Sequence, residues 1–344
     1  MKERLVYIDV LRGLAMFTVV YSHILLFCLD PYPESWFISF LRISFVHTFF
    51  FISGYMAYRN MDWNINTTIK YIYKKVKTLL IPTIVCGCTF MFSHQLPLDK
   101  FISSDAKYGY WFTYVLFFIF VFYAIYMLCC SKIKNEKYIF SLLFIIGILC
   151  YPLQLSSLIH GEIQDILSFS KVTGYIPFFI FGVLCKKYYN FFNQKILQSK
   201  FIIIAAFTFI VLHYLFGISY LINLHCVFLL IFYLSKQLVP NGKVQYSYPI
   251  KFLSYVGTHS LEVYFLHYFL LFPLPIFIRN YLTGLSENTL NVLGSSTSFP
   301  EFLIICPIVV CICFACIAIS SILKQIPYVS MLAFGKQSSI LQDK

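Results

Sequence analysis

Long apolar runs follow one another along almost the whole chain, and no other feature limits its fold as strongly. A helix that crosses a bilayer needs about 20 predominantly apolar residues, and within lipid every backbone group must find its partner inside the helix. Ten segments fit, at about 8–29, 37–58, 78–93, 110–130, 138–153, 172–186, 200–217, 219–235, 254–279 and 300–323, the third, fifth and sixth being the shortest. The stretches between them are modest, with no internal repeat, long linker or soluble domain. The sequence therefore predicts an all-α, polytopic membrane bundle of about ten transmembrane helices, one integral domain over 1–344. Composition agrees, with 60% hydrophobic, 20% aromatic and only 12% charged residues, far from soluble usage. The start, "MKERLVYIDVLRG", has the charged head of a signal peptide, but no small-residue cleavage site follows and the apolar run carries Arg12 and His23, so it reads as a retained first span.

A net charge of +12 would suggest nucleic acid in a soluble chain. Here it follows from topology. With both termini cytoplasmic, 20 of the 26 basic residues fall inside, only Lys100, Lys107, Lys171 and Arg279 fall outside, and Arg12 and Arg42 lie within spans. That asymmetry obeys the positive-inside rule and requires no polyanionic partner. Twelve cysteines raise the question of disulfides, but most sit inside apolar runs such as "LCC" and "CICFAC", where a small buried hydrophobe is the simpler reading; no metal site is expected.

Ionisable groups within spans are costly unless they face protein or water, so each is a functional candidate. The eleven steps from Arg12 to His23 return to nearly the same helix face, roughly 16 Å along the axis. Folding the second helix back about "DPYPESW" brings Arg42 and His47 near the depth of His23, and "ISGY" near that of Arg12. His47 has two readings, a member of such a site or an interhelical hydrogen-bonder, and Asp9, three residues before Arg12, is a candidate partner for it. Gly54 allows close backbone approach and Ser53 is a candidate interhelical hydrogen-bonder. In "GTHSLEVYFLH", Glu262 lies about 140° around a helix from His267, with Arg12 as its natural counter-charge. His213, His225 and His259 read as interfacial or solvated. Trp111 fits an interfacial belt. The basic and aromatic segment holding Lys74, Lys75 and Lys77 suits either anionic lipid or a phosphate-rich donor.

Together these pieces resemble the acyltransferase-3 family of integral membrane acyltransferases, and within it the fucose 4-O-acetylase-like branch. The resemblance rests on "DVLRGLAMFTVVYSH", "VHTFFFISGY", "YKKVKTLLIP", "YWFTYVLFF", "IPFFIFGVLCKK" and "GTHSLEVYFLH", in family order over nearly the whole chain. It implies about ten helices, a coenzyme A thioester donor arriving from the cytoplasm, and an acceptor commonly modified at the outer face of the bacterial cytoplasmic membrane. Carried over, Arg12 and His23 form the catalytic-motif pair, and His47, Ser53, Gly54 and Tyr55 fall in the second motif. Glu262, Tyr264 and His267 fall in the ninth-helix motif, while Lys75 and Lys77 fall in the donor loop. Two departures stand out: Thr78 replaces a commonly basic residue before "LLIP", and "VHTFFF" lacks the proline of the usual "HMPLFFF". No fused outer hydrolase-like domain is expected.

The expected reaction is O-acyl transfer, by default of acetyl from acetyl-coenzyme A to a hydroxyl of a cell-surface polysaccharide or its lipid-linked precursor. Such attack needs a base for the hydroxyl proton and groups that stabilise the oxyanion. His23 suits the base, because imidazole titrates near neutrality; Arg42 or His47 suits the developing charge, and Arg12 the donor. An acyl-histidine relay is equally compatible. Coenzyme A thioester, glycan and membrane lipid are the expected partners, with the thioester a substrate and no cofactor held permanently. The rival from another class is a lipid-linked glycan flippase or sugar transporter, in which the same residues would line a substrate path.

Overall fold

The computed structural model describes residues 5–29, 36–155, 162–216, 225, 229, 232–234, 236–237, 247–281 and 299–335, with the backbone alone at 36–45, 151–155, 162–163, 213–216 and 299–302. Everything described is helix or short connection; the described residues contain no strand. In chain order the main helices are α1 (Val6–Cys28), α2 (Trp36–Ala57), α3 (Ile65–Lys75), α4 (Ile81–Ser93), α5 (Leu98–Ser103), α6 (Trp111–Cys129), α7 (Glu136–Leu155), α8 (Glu162–Leu167), α9 (Phe169–Lys187), α10 (Lys200–Phe216), α11 (Tyr248–Thr258), α12 (Ser260–Leu266), α13 (Phe299–Leu323) and α14 (Pro327–Phe334). Five described segments are long and apolar enough to cross a membrane: Val6–Cys28, Ile65–Ser93, Trp111–Lys132, Gln164–Lys187 and Leu303–Leu323. A sixth is a bent pair, Tyr189–Ile196 with Lys200–Leu212, turned by 83°. Most of the eighth expected span, and both chain ends, lie outside the described residues.

The chain forms two compact units, Met1–Phe49 with Tyr188–Ile317, and Phe50–Lys187 with Ala318–Lys344. In the first, α1 lies along α11 with backbone against backbone. A β-carbon on Gly13 would overlap the Leu253 carbonyl, and one on Gly257 would overlap the carbonyl of Asp9. Glycine is required at both positions because the helices leave no room for a side chain, the small-residue contact typical of membrane bundles. Ile8, Leu11, Ala15, Val20 and Ile24 are buried along α1. The Thr18 and Ser22 hydroxyls turn back on the helix, Thr18 donating to the Leu14 and Ala15 carbonyls and Ser22 to that of Thr18. Phe252 of α11 packs edge-on against Phe17, and Phe232 against Tyr7.

Here one expected element differs. Residues 254–279 do not form a single helix: α11 ends at Thr258, α12 ends at Leu266, a 3₁₀ turn covers His267–Leu270, and the chain is then non-helical to Pro275. Pro273 and Pro275 explain the end, since neither has an N–H for a helical bond. Leu274, between them, donates its N–H to the Cys28 carbonyl at the end of α1 (3.2 Å).

The second unit repeats the close crossing. A β-carbon on Gly54 of α2 would overlap the Phe179 carbonyl, and one on Gly182 of α9 the Phe51 carbonyl. Phe120 and Tyr123 of α6 meet Phe179 edge-on at 5.2 and 5.6 Å. Asn64 caps α3 by accepting from the Thr67 N–H, while the Asn64 N–H is bound by the Thr67 hydroxyl. Between α3 and α4 the helix widens into a π turn at Val76–Leu80, a local irregularity often found at functional sites. Helix α14 ends on left-handed Gly335 (φ 62°), whose bare α-carbon rests against the Lys77 carbonyl.

Candidate active site

Arg12 and His23 occupy α1 three turns apart, both half-buried. Asp9, itself buried, is within electrostatic reach of Arg12, in keeping with the expected pairing. Glu262 is buried on α12, which packs against α1.

His23 meets the break after α12. Its Nδ1 lies 2.9 Å from Nε2 of His267. His267 has no exposed surface, and its Nδ1 lies 3.0 Å from the Val263 carbonyl and 2.8 Å from that of Tyr264. The Tyr268 hydroxyl stands 3.5 Å from Nε2 of His23, and the His23 ring also contacts Phe27. This constellation exists because helix geometry stops at Leu266: the 3₁₀ turn swings His267 and Tyr268 towards α1, and the His267 ring lies against the Val263 and Tyr264 carbonyls in the last turn of α12. The sequence singled out both histidines but did not join them, and it missed Tyr268. The available signal was the adjacent "HY" followed by "FPLP", a polar pair at the point where prolines stop a helix.

The other candidates fall into two groups. His47 is half-buried on α2; the Arg42 and His213 side chains lie outside the described residues. His259 binds its own helix end, its Nδ1 lying 2.9 Å from the Tyr255 carbonyl.

In the second unit Ser53 is half-buried and Tyr55 fully buried, with Lys186 Nζ 4.9 Å from the Tyr55 ring centre. Lys75 lies over Phe120 at 3.4 Å, Lys77 over Tyr73 at 4.5 Å, and Lys74 is exposed. Lys187 pairs with Glu136. Thr78 does not replace a cation: its hydroxyl donates back to the Lys74 carbonyl.

Trp111 begins a ladder of parallel rings, Trp111 on Tyr175 at 5.4 Å and Tyr175 on Phe50 at 4.3 Å. Lys171 lies over Trp111 and pairs with Asp105. Nearby in sequence, the buried Lys107 donates to the Ile102 and Ser104 carbonyls, and burial pulls its pKa down, against a smaller opposing pull from Asp105.

Histidine paired through nitrogen, with a hydroxyl at the remaining nitrogen, suits proton transfer to and from an alcohol. Lysines spread over aromatic faces suit an anionic group. Residues 5–318 match the acyltransferase-3 family, described as an acyltransferase domain, a match that runs across both units. No curated protein and no solved structure matches the chain. With nearly the whole length covered by one family domain and several helices fit to cross a bilayer, the chain belongs to the acyltransferase-3 family and is a membrane acyltransferase.

Proposed function

We propose that the protein transfers an acetyl group from acetyl-coenzyme A to a sugar hydroxyl of a cell-surface polysaccharide or its lipid-linked precursor, as in the fucose 4-O-acetylase-like branch, in a bacterial cytoplasmic membrane with both termini inside. The observation that carries this reading is His23, held through Nδ1 by a buried second histidine with a hydroxyl group at Nε2.

In the direct mechanism His23 Nε2 takes the proton as the sugar oxygen attacks the thioester carbonyl. The tetrahedral oxyanion collapses, the C–S bond breaks, and the departing thiolate receives that proton from Nε2, giving an acetyl ester and free coenzyme A. Arg42 and His47 are assigned to the oxyanion, and Arg12, within electrostatic reach of Asp9, to the cytoplasmic part of the donor. Lys74, Lys75 and Lys77 take the donor phosphates, each as a mobile point charge. Ser53, Tyr55, Trp111 and Glu262 are assigned to binding donor or acceptor.

The test is release of coenzyme A from acetyl-coenzyme A by purified protein, given polysaccharide prepared from a strain that lacks the protein. Release that depends on the polysaccharide, with the product heavier by one acetyl ester per modified sugar, supports the reading. A flippase would move glycan and release none.

A further inference from the structure

We propose that His267 is a positioning residue that fixes the tautomer and ring orientation of His23, so that Nε2 is the atom left to accept a proton; this rests on the reading of His23 as the base. The inference runs outward from the backbone. Main-chain carbonyls only accept hydrogen bonds, and two of them, of Val263 and Tyr264, lie 3.0 and 2.8 Å from Nδ1 of His267, within ordinary N–H···O distance. Nδ1 of His267 therefore carries a proton. In a neutral imidazole the other nitrogen is then an acceptor, and Nε2 of His267 presents its lone pair to Nδ1 of His23, 2.9 Å away. Nδ1 of His23 must donate, and its lone pair is displaced to Nε2.

Ring geometry agrees. The two imidazoles are inclined by only 7° with centres 5.1 Å apart, and 2.9 Å of that separation is the nitrogen-to-nitrogen gap. The rings thus lie nearly in one plane and meet edge to edge, the orientation in which an in-plane N–H points along its partner's in-plane lone pair. A face-to-face stack would offer no such bond. Total burial of His267 and the forked bond from its Nδ1 oppose rotation of that ring, and a fixed acceptor in turn fixes the donor. The proton order of the whole relay is set by the helix end, a part of the molecule that cannot titrate.

The relay also acts during the reaction. When Nε2 of His23 takes a proton the ring becomes an imidazolium, and its Nδ1–H bond to His267 becomes charge-assisted and stronger. Tyr264, with its ring centre 6.1 Å from that of His267, and Tyr268 are titratable groups set against the two rings.

Three full-length variants decide the matter. His267→Leu removes the acceptor, His267→Lys replaces it with a donor, and His267→Gln keeps an amide oxygen able to accept. Leu and Lys are expected to lower kcat about 10²–10⁴-fold, the range for losing a base or its correct tautomer, with KM for acetyl-coenzyme A unchanged; Gln is expected to recover much of kcat. In ¹⁵N spectra of wild-type protein, the His23 signal, identified by its loss in His23→Gln, is expected to show Nδ1 protonated and Nε2 bare, and the Lys variant is expected to reverse this.

Wild-type kcat in His267→Leu, or a His23 tautomer with Nε2 protonated in the resting protein, overturns the positioning role. Equal loss in the Leu and Gln variants with the His23 tautomer unchanged in both also overturns it, since His267 would then matter only for packing. Near-normal turnover by His23→Gln is a separate result: it overturns His23 as the base whatever the His267 variants do.

Discussion

The crossing of α1 with α11 and that of α2 with α9 are built alike, each from two glycines whose missing β-carbons let one helix rest on the other: Gly13 and Gly257 in the first, Gly54 and Gly182 in the second. What they hold differs. The first unit joins imidazoles nitrogen to nitrogen, in an order dictated by backbone carbonyls. The second sets ammonium groups over rings: Lys186 over Tyr55, Lys187 over Tyr58 and Phe140, Lys75 over Phe120. A hydrogen bond between two rings is directional and fixes where a proton resides. A cation over a ring face gains only ~0.5–2 kcal/mol and tolerates movement. The same kind of close helix crossing thus carries a hydrogen-bonded histidine pair in one region and lysines over aromatic rings in the other.

The largest expected effect separates the two regions at once. His23→Ala should lower turnover about 10²–10⁴-fold, ~3–5 kcal/mol of barrier, in protein that still inserts and folds, whereas His225→Ala should change it little. Changing Lys74, Lys75 and Lys77 together to Gln should instead raise KM for acetyl-coenzyme A roughly tenfold while sparing kcat and the acceptor KM. Steady-state kinetics on both proteins checks this. If the lysine variant lost kcat and kept its donor KM, those lysines would belong with lipid or with the chemistry, and the division would fail.

Next in size are the glycines. Gly257→Ala and Gly182→Ala each drive a β-carbon into a backbone carbonyl, and overpacking of this kind costs about 1–3 kcal/mol. Both should lower the unfolding temperature in detergent. Gly257→Ala should also lower kcat, because it pushes α1 from α11 and loosens the histidine pair, while Gly182→Ala should act on donor KM first. Identical kinetic defects in the two would erase the contrast.

The smallest effect concerns the loop before α6. Burial holds the pKa of Lys107 below the ordinary lysine value. As pH rises through its folded pKa towards that value, the folded protein gives up this proton before the unfolded chain does, so stability rises with pH in that alkaline window. The gain should be small, given its carbonyl partners, and absent from Lys107→Gln. Thermal unfolding of both proteins across that window measures it; parallel curves would remove the role of burial.

Much of this was legible in the sequence. Apolar run length gave the helical membrane class, and the helical period placed Arg12 and His23 on one face. Gly54 was legible as a site of close approach, although its partner in α9 was not. The histidine pair was hidden because reading depth from a hairpin compares only neighbours in sequence, and His23 and His267 are 244 residues apart. The ninth run also reads as continuous helix, whereas the structure breaks it at His259 and again after Leu266. A period of 3.6 carried from Glu262 to His267 therefore loses its phase at the 3₁₀ turn. The π turn at Val76–Leu80 is equally silent in the sequence, and it changes which way Lys77 and Thr78 face.

The most direct measurement is transfer of isotopically labelled acetyl from acetyl-coenzyme A to the polysaccharide, by wild-type protein and His23→Gln side by side. Glutamine keeps polarity and much of the volume of histidine but accepts no proton near neutral pH. Labelled ester is expected with wild type and a loss of about 10²–10⁴-fold with the variant, at equal amounts of folded protein. Label transferred equally by both would contradict His23 as the base, and no label with either would contradict acetyl transfer to this acceptor.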